Sequence, residues 1–337
     1  MTSLLRVKDL RTAFDVGGRI VHAVDGVSFE IARGETVGIV GESGSGKSMT
    51  ALSVLRLVPE PGRITGGEIW FGPPGGERNV LEMSGDEIRD LRGQQVAMIF
   101  QDPMTSLNPV LRVGRQIEEA MKAHRRFTPE QARDRVRPLL DRVKIPAAGE
   151  RAREYPHQFS GGMRQRAMIA MGLSNDPSLL IADEPTTALD VTVQAQIIEL
   201  LRELNREQGM AIVLITHNLA VVASLCTRIV VMYAGRIVEE GPTRAIFQRP
   251  QHPYTWSLLR SIPRLDERRQ EKLRSISGLP PDMSSLPEGC TFHPRCPFRE
   301  ERCVREEPPL EDVGAGGHAA RCWVLMRNVP TPEETAT

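Results

Sequence analysis

Glu35-Thr36-Val37-Gly38-Ile39-Val40-Gly41-Glu42-Ser43-Gly44-Ser45-Gly46-Lys47-Ser48 decides how this chain is read. Residues 41–48 carry the spacing G-x-x-x-x-G-K-[ST]. The run before them is short, apolar and β-branched, as a buried strand is. The run after them, Met49 to Leu57, places Leu52, Leu55 and Val58 at helical spacing. A loop between a strand and a helix is the setting in which this spacing has a physical meaning.

Glycines let backbone N–H groups curl around an anion. The helix opening near Lys47 turns its positive dipole end toward the same point. Lys47 is expected to reach the β- and γ-phosphates of a nucleotide, and the Ser48 hydroxyl to bind Mg²⁺.

Working outward, Val27, Phe29 and Ile31 alternate with polar neighbours, so residues 1–35 read as β-structure. Phe14 precedes an expected turn at Asp15-Val16-Gly17-Gly18. It could stack on a base, although composition alone makes it a core or edge residue. A short strand is expected at Gly67–Phe71 and a short polar helix over 84–93. Val96–Phe100 is a buried strand ending at Gln101-Asp102-Pro103. Gln101 stands where a sheet presents polar groups to ligands, though by itself it reads as a turn residue.

Residues 110–145 read as amphipathic helix, with Thr128 as N-cap and Pro129 at the first position. Their arginines read as a solvated face. Ser160-Gly161-Gly162 opens another helix; alone it is a capped N-terminus that could hold an anion. Leu179–Asp183 is an apolar strand ending in Asp183 and Glu184, the place where such a sheet puts Mg²⁺-binding and base residues. Val193 to Leu204 is a core helical stripe, and Ala211–Ile215 is a further buried strand with His217 just beyond it. Arg228–Tyr233 and Arg236–Glu240 read as a hairpin about Ala234-Gly235. From about residue 245 prolines break up the chain, and a boundary is expected there.

The chain has 337 residues, 43 basic and 43 acidic, 40% hydrophobic and 26% charged. This composition suits a packed α/β protein, and the balanced charge argues against general nucleic-acid binding. No apolar run reaches the length that spans a bilayer. The first residues lack a secretory core. A cytosolic protein is therefore expected, linked to a membrane only through partners. Four of five cysteines, Cys290, Cys296, Cys303 and Cys322, follow C-x5-C-x6-C-x18-C. They could hold Zn²⁺ or a [4Fe–4S] cluster, or be unrelated thiols or disulfides. His293 and His318 could stand in as ligands but read first as surface residues, and Cys226 reads as a small buried hydrophobe.

In their order, the phosphate loop, Gln101, Phe159-Ser160-Gly161-Gly162-Met163, Asp183-Glu184, Ala188-Leu189-Asp190 and His217 resemble the ATP-binding subunits of ABC transporters. His252-Pro253-Tyr254-Thr255 and the late cysteines resemble those of oligopeptide/dipeptide importers. The resemblance implies a P-loop ABC nucleotide-binding domain over 1–245. It would contain a RecA-like core, an antiparallel β subdomain and a helical subdomain at about 102–175. A small irregular cysteine-containing extension would follow over 246–337.

It further implies an ATPase that uses ATP and Mg²⁺ and drives peptide import. Nickel, glutathione or sugar are alternative cargoes, and a soluble non-transport ABC ATPase is the remaining reading. Phe14 would stack on adenine. Gly41, Ser43, Gly44, Ser45, Gly46, Lys47, Ser48 and Met49 would hold the nucleotide. Gln101 would sense Mg²⁺ and the attacking water, and Ser160, Gly161 and Gly162 would contact the γ-phosphate held by an opposite subunit. Asp183 would associate with Mg²⁺, Glu184 would be the general base, His217 the switch histidine, and Asp190 would communicate across the dimer. Met163 departs from the usual glutamine and cannot make its amide hydrogen bonds, which bears on how the two composite sites compare. The resemblance tilts the cysteines toward the [4Fe–4S] cluster. It implies a second, related ATPase, two permeases and a solute-binding protein, on the cytoplasmic side of the cell membrane.

Overall fold

Gly17 and Gly18, both at positive φ, turn the chain between two 14-residue strands, β1 (Ser3–Val16) and β2 (Arg19–Ala32). In this computed structural model residues 2–102, 106–124, 127–187, 189–261, 276–314 and 316–329 are described. The chain divides into two compact units. One comprises residues 1–5, 31–36 and 70–215; the other comprises 6–30, 37–69 and 216–337.

The second unit holds most of β1, β2 and β4 (Gly62–Phe71), which form one sheet in the order β2-β1-β4. Its other sheet is built on β3 (Thr36–Val40), which runs parallel to β9 (Arg228–Tyr233) with Val37 opposite Arg228 and Val40 opposite Val231. A hairpin about Ala234 and Gly235, both at positive φ, returns the chain as β10 (Arg236–Pro242). The β12 strand (His318–Ala320) then adds antiparallel to β10, and β11 (Glu311–Gly314) pairs with β12. The segment beyond residue 245 is thus less irregular than its prolines suggest, because two of its strands extend a sheet. The longer helices of this unit are α1 (Lys47–Val54), α6 (Leu219–Leu225) and α7 (Pro253–Arg260).

The first unit carries parallel strands in the order β8-β7-β6: β6 (Val96–Ile99), β7 (Leu179–Asp183) and β8 (Ala211–Ile215). Every residue of β7 and β8 is buried. That is why they read as unbroken apolar runs instead of alternating ones. Around them lie α2 (Val113–Lys122), α3 (Pro129–Arg142), α4 (Gly161–Leu173) and α5 (Val191–Gln208). The stretch expected to be helical over 110–145 is therefore two helices. The second opens as its sequence foretells: Thr128 Oγ1 accepts from the Gln131 amide, the Gln131 side chain accepts from the Thr128 amide, and Pro129 is the first helical residue. Ile197, Leu200, Leu201 and Leu204 of α5 are buried, as the stripe requires. A short edge strand, β5 (Arg78–Asn79), pairs with Trp70 and Phe71 in this unit.

Two expectations need correction. The helix after the phosphate loop ends at Val54, and its buried positions are Lys47, Thr50, Ala51, Ser53 and Val54, not Leu52 and Val58. Ser53 is tolerated inside because its hydroxyl donates to the Met49 carbonyl at 2.6 Å and bonds the Thr12 hydroxyl at 2.7 Å. The polar helix expected over 84–93 stops at Asp90, and Arg92 and Gly93 leave helical geometry.

Candidate functional site

The phosphate loop lies wholly in the second unit. Gly41 ends β3 against the neighbouring strand, where a methyl group would fall 2.2 Å from the Met232 carbonyl oxygen. Gly46 caps α1 at φ 99°, and a methyl there would fall 2.4 Å from the Ala23 oxygen. These two positions accept only glycine for steric reasons, whereas a methyl at Gly44 would meet nothing within 4 Å and its surroundings are open. Lys47 is buried and curls back over the loop. Its ammonium donates to the carbonyls of Gly41 at 2.9 Å and Glu42 at 2.8 Å, and to Ser45 Oγ at 3.4 Å. The cation is thus held on the concave side of an arch of glycines at the start of a helix, a site preorganised for phosphate. Ser48 and Met49 follow on the first turn of α1, half-buried.

Phe14 sits on β1 in the same unit with its ring against Gly62; a methyl at Gly62 would fall 2.5 Å from Phe14 Cε1. His217 is exposed just beyond β8. The residues on either side of it are fixed: the Thr216 amide donates to the Ile39 carbonyl at 3.3 Å, and the Asn218 side chain caps α6.

The remaining candidates lie in the first unit. Asp183 is the buried last residue of β7, paired with Ile215. Glu184 follows at φ 50°, a conformation side chains seldom adopt. Its amide donates to the Ile215 carbonyl at 2.8 Å, and its carboxylate accepts from the Thr187 hydroxyl at 2.6 Å. A strained backbone held from both sides at a strand end is where functional groups collect. Gln101 is exposed two residues beyond β6, whose Ile99 pairs with Ala182. Gln101, Asp183 and Glu184 therefore emerge at one end of adjacent strands.

Ser160 caps α4, its Oγ accepting from the Met163 amide at 3.3 Å, and Ser160 and Gly161 are exposed. A methyl at Gly162 would fall 2.7 Å from Val193 Cγ1. The N-terminus of α4 therefore rests on that of α5, which Asp190 caps by accepting from the Val193 amide at 2.9 Å. Residue 188 lies outside the described residues.

The four late cysteines share one neighbourhood. The Cys290 amide donates to the Cys303 carbonyl at 2.8 Å, and the Cys322 thiol donates to the Val324 carbonyl at 3.1 Å. Burial raises the Cys290 thiol, pushes Cys296 up to about 11 and raises Cys322; nearby cysteines add to each shift. The iron–sulfur expectation and its zinc alternative are not supported. Among the described residues no group of three or more His, Cys, Asp or Glu side chains is placed to hold a metal ion.

His293 and His318 are not the surface residues their sequence suggests. His293 is half-buried with Nδ1 3.0 Å from the Cys290 carbonyl, and His318 is buried with Nε2 2.7 Å from Glu239. Cys226 is the buried hydrophobe expected, its thiol raised to about 12 by burial.

Sequence reasoning missed one set of contacts on the loop itself. Arg295 forks onto the Glu42 carboxylate at 2.6 and 3.0 Å, and the Tyr254 hydroxyl accepts from the Glu42 amide at 2.8 Å. No local signal ties these residues together, since 253 positions separate Arg295 from Glu42.

Comparison with known proteins agrees with this arrangement. The family described as ABC transporter matches residues 24–187, and the oligopeptide/dipeptide transporter C-terminal region matches 238–303. The chain is 51% identical over 314 residues to the oligopeptide transport ATP-binding protein OppD of Escherichia coli, covering 93% of this chain and 91% of that protein. It is 48% identical over 325 residues to the dipeptide transport ATP-binding protein DppD of Bacillus subtilis, covering 96% and 95%. Among solved structures, the ATP-binding cassette MJ0796, a dimer in a post-hydrolysis state bound to ADP and Pi, matches with a TM-score of 0.63 at 29% identity, over 72% of this chain and 99% of that one. The arched glycine loop, the strand-end carboxylates and the kinship along nearly the whole chain together place this protein in the ABC transporter family.

Proposed function

We propose that the chain is the ATP-hydrolysing subunit of an importer that moves peptides through separate permease subunits. The observation that carries this is the phosphate loop, with Lys47 preorganised over its carbonyls by buried hydrogen bonds. The match of residues 238–303 to the oligopeptide/dipeptide transporter C-terminal region points to the cargo.

In this reading the amides of Gly41 to Ser48 cradle the phosphates and Lys47 exchanges its carbonyl partners for phosphate oxygens. Phe14 stacks on the adenine. Ser48, Asp183 and Gln101 offer hard oxygen donors that suit Mg²⁺ and would serve it. Held there, Mg²⁺ would supply charge neutralisation to the phosphates. Glu184 orients and deprotonates the attacking water, and His217 holds the γ-phosphate. The signature residues Ser160, Gly161 and Gly162 act on nucleotide bound by a second cassette, and Asp190 relays between the two. A chain with one phosphate loop and one exposed signature has half of each site, so the functional unit is a pair, in our reading a heterodimer with a related ATPase.

No helix among the described residues is long and apolar enough to cross a membrane. In the same reading two permeases hold the chain at the cytoplasmic face of the cell membrane, and a solute-binding protein delivers cargo outside. The boundary between cassette and extension is placed near residue 245.

The test is Glu184→Gln in the complex reconstituted in liposomes with its permeases and partner ATPase. MgATP binding is expected to persist while hydrolysis falls at least about a hundredfold, as for loss of a catalytic base, and the cassettes remain associated. Peptide-stimulated turnover at the wild-type rate would overturn the base assignment. Uptake of nickel or a sugar in place of peptide would overturn the cargo.

A further inference from the structure

Glu42 puts a carboxylate into a loop whose purpose is to attract anions. Left unpaired, that charge would oppose the phosphates. In the structure all three polar parts of Glu42 are held. The amide donates to Tyr254 Oη, the carbonyl accepts from Lys47, and the carboxylate receives both arms of Arg295. Arg295 is itself buried, its side chain 5% exposed, and its Nε donates to the Ser277 carbonyl at 3.0 Å.

The scaffold around this pair is stiff. Tyr233 and Tyr254 each meet Phe292 edge to face, with centroids 5.2 and 5.4 Å away, and tilt against each other at 4.7 Å. Beneath them the buried Glu239 accepts from the amides of Gln251 at 2.6 Å and His252 at 2.9 Å, and meets His318 Nε2. The C-terminal segment is thereby fixed to β10 and delivers one guanidinium to the second residue of the phosphate loop.

We infer that Arg295 is a positioning residue for the nucleotide site: by cancelling the Glu42 charge and holding that carboxylate aside, it sets the preference of the loop for ATP over ADP. The C-terminal segment is then part of the nucleotide-binding apparatus. The inference rests on residues 41–48 being the phosphate cradle. Because ATP carries one more negative charge than ADP, a change in local charge moves ATP affinity further than ADP affinity. A residue that merely braces the fold would move both alike.

The experiment titrates MgATP and MgADP into the purified full-length chain by calorimetry, with melting temperature recorded for each variant. Arg295→Met is expected to weaken MgATP about tenfold and MgADP about threefold, the scale of one uncompensated charge in a partly buried setting. Glu42→Gln, which leaves the guanidinium uncompensated, is expected to shift both in the opposite direction, again more for ATP. The double variant E42Q/R295M is expected to return the ATP-to-ADP ratio to the wild-type value. If Arg295→Met does not fold, the signs for E42Q and for the double variant still decide.

An unchanged ratio in E42Q, or a double variant no better than Arg295→Met, would overturn the inference. Lys47→Ala separates the two levels of the argument. Loss of binding in Lys47→Ala with no effect at Arg295 or Glu42 would sink this inference alone, whereas unaltered affinity in Lys47→Ala would sink the cradle reading.

Discussion

Gly46 shows how tightly a single residue constrains this site. It adopts φ 99° at the head of α1, with the Ala23 carbonyl 2.4 Å from where a methyl would stand. Gly46→Ala is expected to cost about 1–3 kcal/mol through left-handed strain and overpacking. It should lower MgATP affinity as well, because the relaxed loop no longer aims its amides at one point. Thermal melts and nucleotide titrations check both; an alanine variant with wild-type values on each would refute the steric account. The loop's place between β3 and α1 was legible because its glycines and lysine stand at consecutive positions in one order. So were Asp183 and Glu184, since an apolar strand that stops on two carboxylates is a local pattern. Arg295 was not legible: its partner is fixed by tertiary packing alone, and its neighbours Pro294 and Cys296 draw the eye to other chemistry.

Among the elements, strand ends and helix caps were read well, while the buried face of α1 was not. Periodicity counts apolar residues, and α1 buries Lys47, Thr50 and Ser53, polar groups satisfied by hydrogen bonds. Likewise β11 and β12 are too short and polar at their margins to announce themselves. The packing of α6 on β3 gives an element-level prediction. A methyl on Gly38 would lie 2.4 Å from Val222 Cγ1 and 3.3 Å from the Cys226 sulfur. Gly38→Ala is therefore expected to destabilise by about 1–3 kcal/mol by forcing the helix off the strand. Val222→Ala in the same chain should recover part of that loss. Denaturant midpoints for the single and double variants measure the coupling, and additive effects would show that the two do not share this contact.

For the molecule as a whole, acid sensitivity follows from His252. It is fully buried, Nδ1 accepts the Tyr254 amide at 3.0 Å, and desolvation lowers its pKa from 6.5 to about 4. Glu239 pulls the other way, and Arg321 adds to the lowering by its charge. The unfolded chain binds a proton near pH 6.5 and the folded chain only near 4, so between these values the unfolded state carries more protons. Stability conferred by the neutral ring is complete above pH 6.5 and declines as the pH falls toward 4, by up to about 3 kcal/mol. His252→Asn, whose Oδ1 can take the place of Nδ1 as acceptor, should flatten this segment of the pH profile in denaturant titrations. An identical slope in the variant would assign the acid sensitivity elsewhere. The same histidine belongs to the group of contacts that seats the C-terminal segment on β10, so acid is expected to loosen that segment's hold on the phosphate loop.

The outermost strand of the second unit's larger sheet has a bearing on assembly. β11 is four residues long and exposes Glu311 and Asp312. A short rim studded with carboxylates is a poor template for another chain's backbone. Copies of this chain are thereby guarded against joining rim to rim through β11.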